Sequence, residues 1–208
     1  MNKVLFRMFV FSVLLISPAL SSYAEDPAPA AAEGEMTEEQ KAKMAAMQEF
    51  STVNEHHAVL KALEGKWATT VKFWMDPKGE PQESAGTSES TLIFGGRFLE
   101  QKYSGDMMGQ PFEGRGIFGY DNLRKEYTGL WFDNMSTGIM VSAAQYDASA
   151  KVFAETGSMS CPITNETHRW YRAVTTLVDA DHYTYETFMK DEDGNEFKAM
   201  VIAYTRAQ

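Results

Sequence analysis

The chain has 208 residues, with 29 acidic and 19 basic side chains and a formal net charge of −10 at pH 7. An acidic chain is repelled by nucleic acid and by anionic membrane surfaces, so neither is expected as a partner. The 44% hydrophobic content is enough for one core in a chain of this length. The single cysteine, Cys161, excludes an internal disulfide, so the fold must rest on that core.

Residues 1–24 have the pattern of a secretory signal peptide. Lys3 and Arg7 provide positive charge, an apolar run follows over 8–16, and Ser22-Tyr23-Ala24 offers small residues for cleavage. The apolar run is shorter than the roughly 20 residues that a membrane-spanning helix needs. We therefore expect a periplasmic or secreted protein without a membrane span after cleavage, with an uncleaved anchor as the alternative.

Two segments precede the strands. Residues 25–36 are rich in Pro, Ala and Glu, which predicts a disordered linker. Over 37–52, a capping box (Thr37 to Gln40) and the helical spacing of Met44, Met47 and Phe50 predict an amphipathic helix with its apolar side towards the core.

A second short helix is expected directly before the strands. Thr52-Val53-Asn54-Glu55 can form another capping box, and Val59, Leu60 and Leu63 follow at helical spacing. Gly65 can end this helix, because glycine adopts the left-handed conformation that such a position requires.

From Trp67 to Arg206 the chain reads as a series of short strands within one domain, 53–208. Turn residues such as Gly95-Gly96, Asp121-Asn122 and Asp133-Asn134 separate many of them, and short links force antiparallel pairing. The fold class predicted is all-β: a single antiparallel up-and-down, lipocalin-like barrel of about ten strands after one or two short helices. The strands are predicted near 67–75, 87–94, 97–104, 112–120, 125–132, 137–146, 151–157, 167–178, 182–190 and 197–206.

Trp67 and Arg206 are predicted to close this barrel. They lie on the first and the last strand, which are neighbours in a closed barrel. The guanidinium of Arg206 could then lie over the indole of Trp67 and donate hydrogen bonds to nearby carbonyls.

Motifs spread over about residues 50–208 resemble the bacterial family called domain of unknown function 1579, which groups with the calycins. The resemblance implies a barrel similar to those of lipocalins and fatty-acid-binding proteins, and it implies no established activity. The matching elements are His57-x-x-Leu60-x-x-Leu63-x-Gly65-x-Trp67, Gly95-Gly96-Arg97-Phe98-Leu99, Gly109-x-Pro111-Phe112-x-Gly114, Gly119-Tyr120-Asp121-Asn122 with Tyr127, Trp131-x-Asp133 and Tyr204-x-Arg206.

The parity of the strands suggests which side chains line the barrel. Tyr127 and Trp131 share one strand face, Arg172 lies on another, and Tyr185 on a third. Aromatic residues with one arginine suit a small hydrophobic or amphipathic ligand with an anionic head group, in a hollow of more than about 300 Å³. The alternative is a solid aromatic core with Arg172 at the surface.

Metal, cofactor and catalytic chemistry are less well supported by the sequence. His56 and His57 are adjacent and diverge on a helix, His168 and His182 stand alone, and the methionines at helical spacing are typical of core packing. No metal site and no cofactor are therefore expected.

The chain carries no catalytic motif in a suitable context. Glu100, Glu155 and Glu186 are equal candidates for a base inside the barrel. The alternatives to a binding protein are a haem-binding or isomerase-type enzyme that uses His168 or His182, and an interaction module whose exposed N-terminal helix docks on a partner.

Overall fold

The computed structural model describes residues 35–207. All the strands described below belong to one compact unit, Glu39–Gln208. The predicted signal peptide and nearly all of the predicted linker lie outside the described residues, so both remain predictions. Within the described part of the chain, no helix combines the length and the hydropathy needed to cross a membrane.

Two helices and a 3-10 turn precede the strands: α1 Glu38–Ser51, α2 Glu55–Val59 and the turn Leu60–Leu63. The residue that caps α2 differs from the prediction. Asn54 accepts a hydrogen bond from the backbone N–H of His56, and the backbone N–H of Asn54 donates to the ring of His57. Thr52 instead donates to the carbonyl of Gln48, 2.6 Å away, in the last turn of α1.

The α1 helix buries none of its side chains. Met44, Met47 and Phe50 are 57%, 73% and 55% exposed, so the expectation that they face the core is wrong. The end of the helix is held by polar groups instead. Asn122 donates to the carbonyls of Glu49, Phe50 and Thr52, and Arg97 donates to that of Ser51 at 2.7 Å.

All ten predicted strands are present, and they close into one antiparallel up-and-down barrel, which confirms the predicted fold class. Each strand pairs with its neighbours in sequence, and β1 pairs with β10 to remove the last free edge. The strands are β1 Gly65–Phe73, β2 Gln82–Ile93, β3 Phe98–Met107, β4 Gln110–Asp121, β5 Glu126–Asp133, β6 Met140–Asp147, β7 Val152–Cys161, β8 Glu166–Leu177, β9 His182–Lys190 and β10 Glu196–Arg206.

The two ends of the barrel differ. At the closed end, where β1 begins, Leu60 and Leu63 of the 3-10 turn and Trp67 are buried in the core. Aromatic packing extends this core, because Phe118 stacks on Tyr127 and both contact the edge of Phe153. The opposite end, where β1, β3 and β5 finish and β6 begins, is called the mouth below.

Candidate functional site: a cavity inside the barrel

The barrel is hollow between its aromatic closed end and its mouth. A cavity of about 560 Å³ occupies this space, which exceeds the roughly 300 Å³ at which pockets for small ligands begin. Aromatic and aliphatic side chains form most of the lining, among them Val71, Leu99, Phe112, Phe118, Trp131, Phe153, Tyr171, Tyr183, Tyr185 and Ile202. The barrel is therefore a container with a mainly apolar interior.

Two of the four predicted ligand-binding residues line this cavity and two do not. Trp131 and Tyr185 border it, and the indole N–H of Trp131 donates to Asp133 at 3.0 Å. Tyr127 is 1% exposed and belongs to the closed end, where its hydroxyl donates to the carbonyl of His56 at 2.8 Å. Its burial raises the pKa of Tyr127 to about 12, with the nearby Tyr120 and Tyr146 adding to the effect.

Arg172 faces outwards, contrary to the predicted parity of β8. Its guanidinium donates to Glu196 at 2.7 Å and lies over the ring of Phe188, 3.9 Å from the centroid. The inward side chains of this strand are its neighbours Tyr171 and Ala173, which are 2% and 0% exposed. The predicted orientation was wrong because both faces of β8 carry aromatic and apolar residues, so their alternation does not show which face points inwards. Among the described residues, no arginine borders the cavity, so none can bind an anionic head group there.

Glu155 on β7 supplies a carboxyl group to the cavity wall. It is one of the three glutamates that the sequence offered as equal candidates for a base inside the barrel. Tyr171 donates its hydroxyl to Glu155 at 3.3 Å across the β7–β8 pair. Burial raises the pKa of Glu155, and the hydrogen bonds from Ser142 and Tyr171 offset this only in part. Glu100 pairs with Lys102, Glu186 pairs with Lys198, and neither lines the cavity.

Two buried hydroxyl groups border the cavity without a hydrogen-bond partner in the structure. Ser90 on β2 is 2% exposed, and Thr187 on β9 is 3% exposed. A buried polar group that lacks a partner costs about 1–3 kcal/mol, so such groups usually have one. Both oxygen atoms are almost fully covered by neighbouring atoms, and the Thr187 hydroxyl acts on that of Tyr185, whose pKa it lowers against the larger rise caused by burial. These hydroxyls therefore belong to the packed wall of the barrel.

Methionines surround the mouth. The methionines of the barrel domain all lie in the loops or terminal segments of strands at this end: Met75, Met107, Met108, Met135, Met140, Met159, Met189 and Met200. All but Met75 border the cavity. Methionine is flexible and polarizable, so a rim of this composition can adapt to ligands of different shape.

The histidines lie away from the cavity. His168 and His182 are exposed, and His182 contacts Asp179 at 2.8 Å, so neither has the position that the haem or isomerase alternative requires. His57 is 4% exposed but packs beside Tyr120 at the closed end, where burial, followed by the neighbouring His56, lowers its pKa.

Cys161 is the last residue of β7 rather than part of a loop, and it is 8% exposed. Burial by itself would raise the pKa of its thiol, but hydrogen bonds from Thr164, Arg169 and the backbone of Ile163 outweigh burial and lower the pKa to about 7. Among these contacts, Nη1 of Arg169 lies 3.3 Å from Sγ.

A closed ten-stranded antiparallel barrel with a hollow apolar interior defines a calycin-like protein. The family comparison agrees with this class. The model of the family described as a protein of unknown function, DUF1579, matches residues 52–206, and the chain belongs to that family.

Comparison with a solved structure supports the fold. The crystal structure of Rv2717c from M. tuberculosis matches with a TM-score of 0.56 and 15% identity, over 76% of this chain and 100% of that chain. A redesigned beta barrel and a de novo designed fluorescence-activating beta barrel match at TM-scores of 0.37 and 0.39, with 14% and 15% identity. Each match covers 72% of this chain, with 96% of the redesigned barrel and 97% of the fluorescence-activating barrel. At 15% identity the likeness to Rv2717c concerns the fold alone, and the TM-scores of the two designed barrels are too low to support any conclusion. No curated protein matches the chain.

Proposed function

We propose that this protein is an exported binding protein that holds a small hydrophobic or amphipathic molecule inside its barrel. The observation that carries the proposal is the cavity of about 560 Å³, whose lining is mainly apolar with a few polar side chains. Apolar walls with a few polar groups are typical of small-molecule sites, in which the polar groups fix the orientation of the ligand.

The methionine side chains at the mouth support the same proposal. An elongated apolar molecule can enter only where the barrel is not filled, and Trp67, Leu60 and Leu63 fill the closed end. The mouth is lined by flexible thioether side chains, which can move to admit a ligand and then pack against it.

The test uses the uncharged fluorescent dye Nile red, whose emission increases in an apolar cavity. Wild-type protein should bind the dye, and Thr187→Phe, which places a ring in the cavity, should abolish binding. Thr184→Phe is the matched control, since Thr184 lies on the same strand but does not border the cavity. Absence of binding by the wild type, or equal binding by Thr187→Phe, would overturn the proposal.

Ligand carried from the native compartment gives a second readout. Organic extraction of protein purified from periplasm or culture medium should release one class of apolar molecule, identified by mass spectrometry. Extraction of the Thr187→Phe variant prepared in parallel should release much less of it.

A further inference from the structure

The cavity wall is charged with one sign only. Of the residues that the structure describes, those with ionisable carboxyl groups on the lining are Glu83, Asp106, Asp133 and Glu155, and no Lys, Arg or His borders the space. An anionic head group would therefore meet acidic groups and no cation. This arrangement argues against a fatty acid, the type of ligand that an inward Arg172 would have favoured.

The four acids have different surroundings. Three belong to the mouth, where Glu83 pairs with Lys72 at 2.9 Å, Asp106 accepts from the backbone of Gly109, and Asp133 accepts from Trp131 and Met135. Glu155 lies deeper, at the centre of β7. None of the ion pairs found among the described residues includes it.

The partners of Glu155 are neutral hydroxyl groups. Tyr171 donates to it, Ser142 adds a second hydrogen bond, and Tyr185 stands close enough for its own pKa to be raised, first by burial and then by the charge of Glu155. An ionised carboxylate can accept about four hydrogen bonds, so acceptor positions remain for a ligand.

We propose that the barrel selects hydrophobic cations, in which an apolar body carries one protonated amine that pairs with Glu155. This inference rests on the proposed function and specifies its ligand class. The amine donates to the Glu155 carboxylate, and the aromatic rings of Tyr171 and Tyr185, which lie near this carboxylate, are groups that attract a cation. The apolar body lies against the aliphatic and methionine side chains.

Two further observations fit a cation. Glu83 is neutralised by Lys72, but Asp106 and Asp133 add negative charge along the path of entry, and the chain as a whole carries a net charge of −10. In addition, burial without a counter-charge holds the pKa of Glu155 above its usual value, and a protonated amine would supply that missing charge.

The test compares three probes with the same ten-carbon tail: decylamine, decanol and decanoate, titrated into wild-type protein by calorimetry. Decylamine should bind most tightly and decanoate least. Glu155→Gln keeps the size of the side chain and removes the charge, so it should weaken decylamine binding by about ten- to a hundredfold and leave decanol binding unchanged. Glu186→Gln, an acid on β9 that pairs with Lys198 away from the cavity, should change neither.

The outcomes separate the two proposals. Binding of decanoate as tight as that of decylamine, or decylamine binding that Glu155→Gln leaves unchanged, would overturn the choice of cations while the binding function stands. Failure of all three probes to bind would overturn the proposed function and this inference with it. If the Glu155→Gln variant does not fold, the wild-type titrations are repeated at about 0.5 M NaCl, which screens the exposed acids at the mouth more than the buried Glu155. A preference for decylamine that disappears at this salt concentration would overturn the pairing with Glu155.

Discussion

The guanidinium of Arg206, on the last strand, lies over the indole of Trp67, on the first, with 4.1 Å between the guanidinium carbon and the ring centroid. The two residues are direct partners in the β1–β10 register. The Arg206 side chain also donates to the carbonyls of Glu64 and Ala180, and the Trp67 indole donates to that of Leu63. This pair therefore joins the start of the barrel, its end and the turn that covers the closed end.

Removal of Trp67 is expected to destabilise the barrel more than removal of Arg206. Trp67→Ala should lower the free energy of unfolding by about 3–5 kcal/mol, because it empties a fully buried site. Arg206→Ala should cost about 1–2 kcal/mol, mainly through the lost cation–π contact. Chemical denaturation of both variants and the double mutant checks this. Because the two side chains share one contact, the double mutant should lose less than the sum, and strict additivity would contradict the coupling.

Gly65 is expected to resist substitution. Its φ of +131° is a conformation that other residues rarely adopt, and a Cβ at this position would collide with Nη1 of Arg206. Gly65→Ala should therefore lower the free energy of unfolding by about 1–3 kcal/mol. Gly79→Ala is the control, because its Cβ would meet only ordinary contacts at 3.5 Å. Equal stability of the two variants in thermal melts would contradict the prediction.

The unpartnered hydroxyl of Ser90 should be removable without loss of stability. In ligand-free protein, Ser90→Ala removes a buried group that has no partner, so stability should stay equal or rise. Ser88→Ala, on the same strand, is the matched comparison, because the Ser88 hydroxyl accepts a hydrogen bond from Gln101 at 2.9 Å. Its loss should cost about 0.5–1.5 kcal/mol in chemical denaturation. An equal loss in both variants would mean that the Ser90 hydroxyl has a partner in the free protein.

Glu155 should make the stability of the barrel depend on pH. Burial, which the hydrogen bonds from Ser142 and Tyr171 only partly offset, raises its pKa above the value of 4.5 expected for an unfolded chain. The folded state thus binds this proton more tightly than the unfolded state does, and stability falls as the pH rises from the unfolded pKa through the folded one. Glu155→Gln should accordingly be more stable than the wild type at neutral pH and gain little at pH values below about 4.

Unfolding curves at acidic and neutral pH measure this difference. The Glu186→Gln variant serves as the control, because its carboxylate pairs with Lys198 and does not border the cavity. A Glu155→Gln variant with the same advantage at both pH values would contradict the role of the buried charge.

The number and order of the strands could be predicted because the signals for them are local. Turn residues such as Asp121-Asn122 and Asp133-Asn134 separate runs of alternating residues, and hairpin-short links leave antiparallel pairing as the only choice. The closing pair could also be proposed, since the first and last strands of a closed barrel must be neighbours. The cap of α2 lies two residues after the predicted Thr52. Thr52 and Asn54 are both suitable N-cap residues, and only the contact of Asn54 with His57 decides between them.

The interior of the barrel was predicted less well. On β5 and β9 the inward side chains follow the expected parity, and Trp131 and Tyr185 border the cavity. On β8 the alternation is ambiguous, and inward Tyr171 and outward Arg172 were interchanged. The exposure of Met44 and Met47 was likewise missed, because helical spacing shows that residues share a face but does not show whether anything covers it.

The sequence by itself determined the ten antiparallel strands, their closure through Trp67 and Arg206, and the membership of the barrel class, because turn chemistry and side-chain alternation act between near neighbours. The tertiary structure alone decided that the barrel is hollow and that its lining is acidic. A cavity is the volume that side chains from all the strands together fail to fill, and the sign of its charge depends on which of two adjacent residues, such as Tyr171 and Arg172, the closed sheet turns inwards.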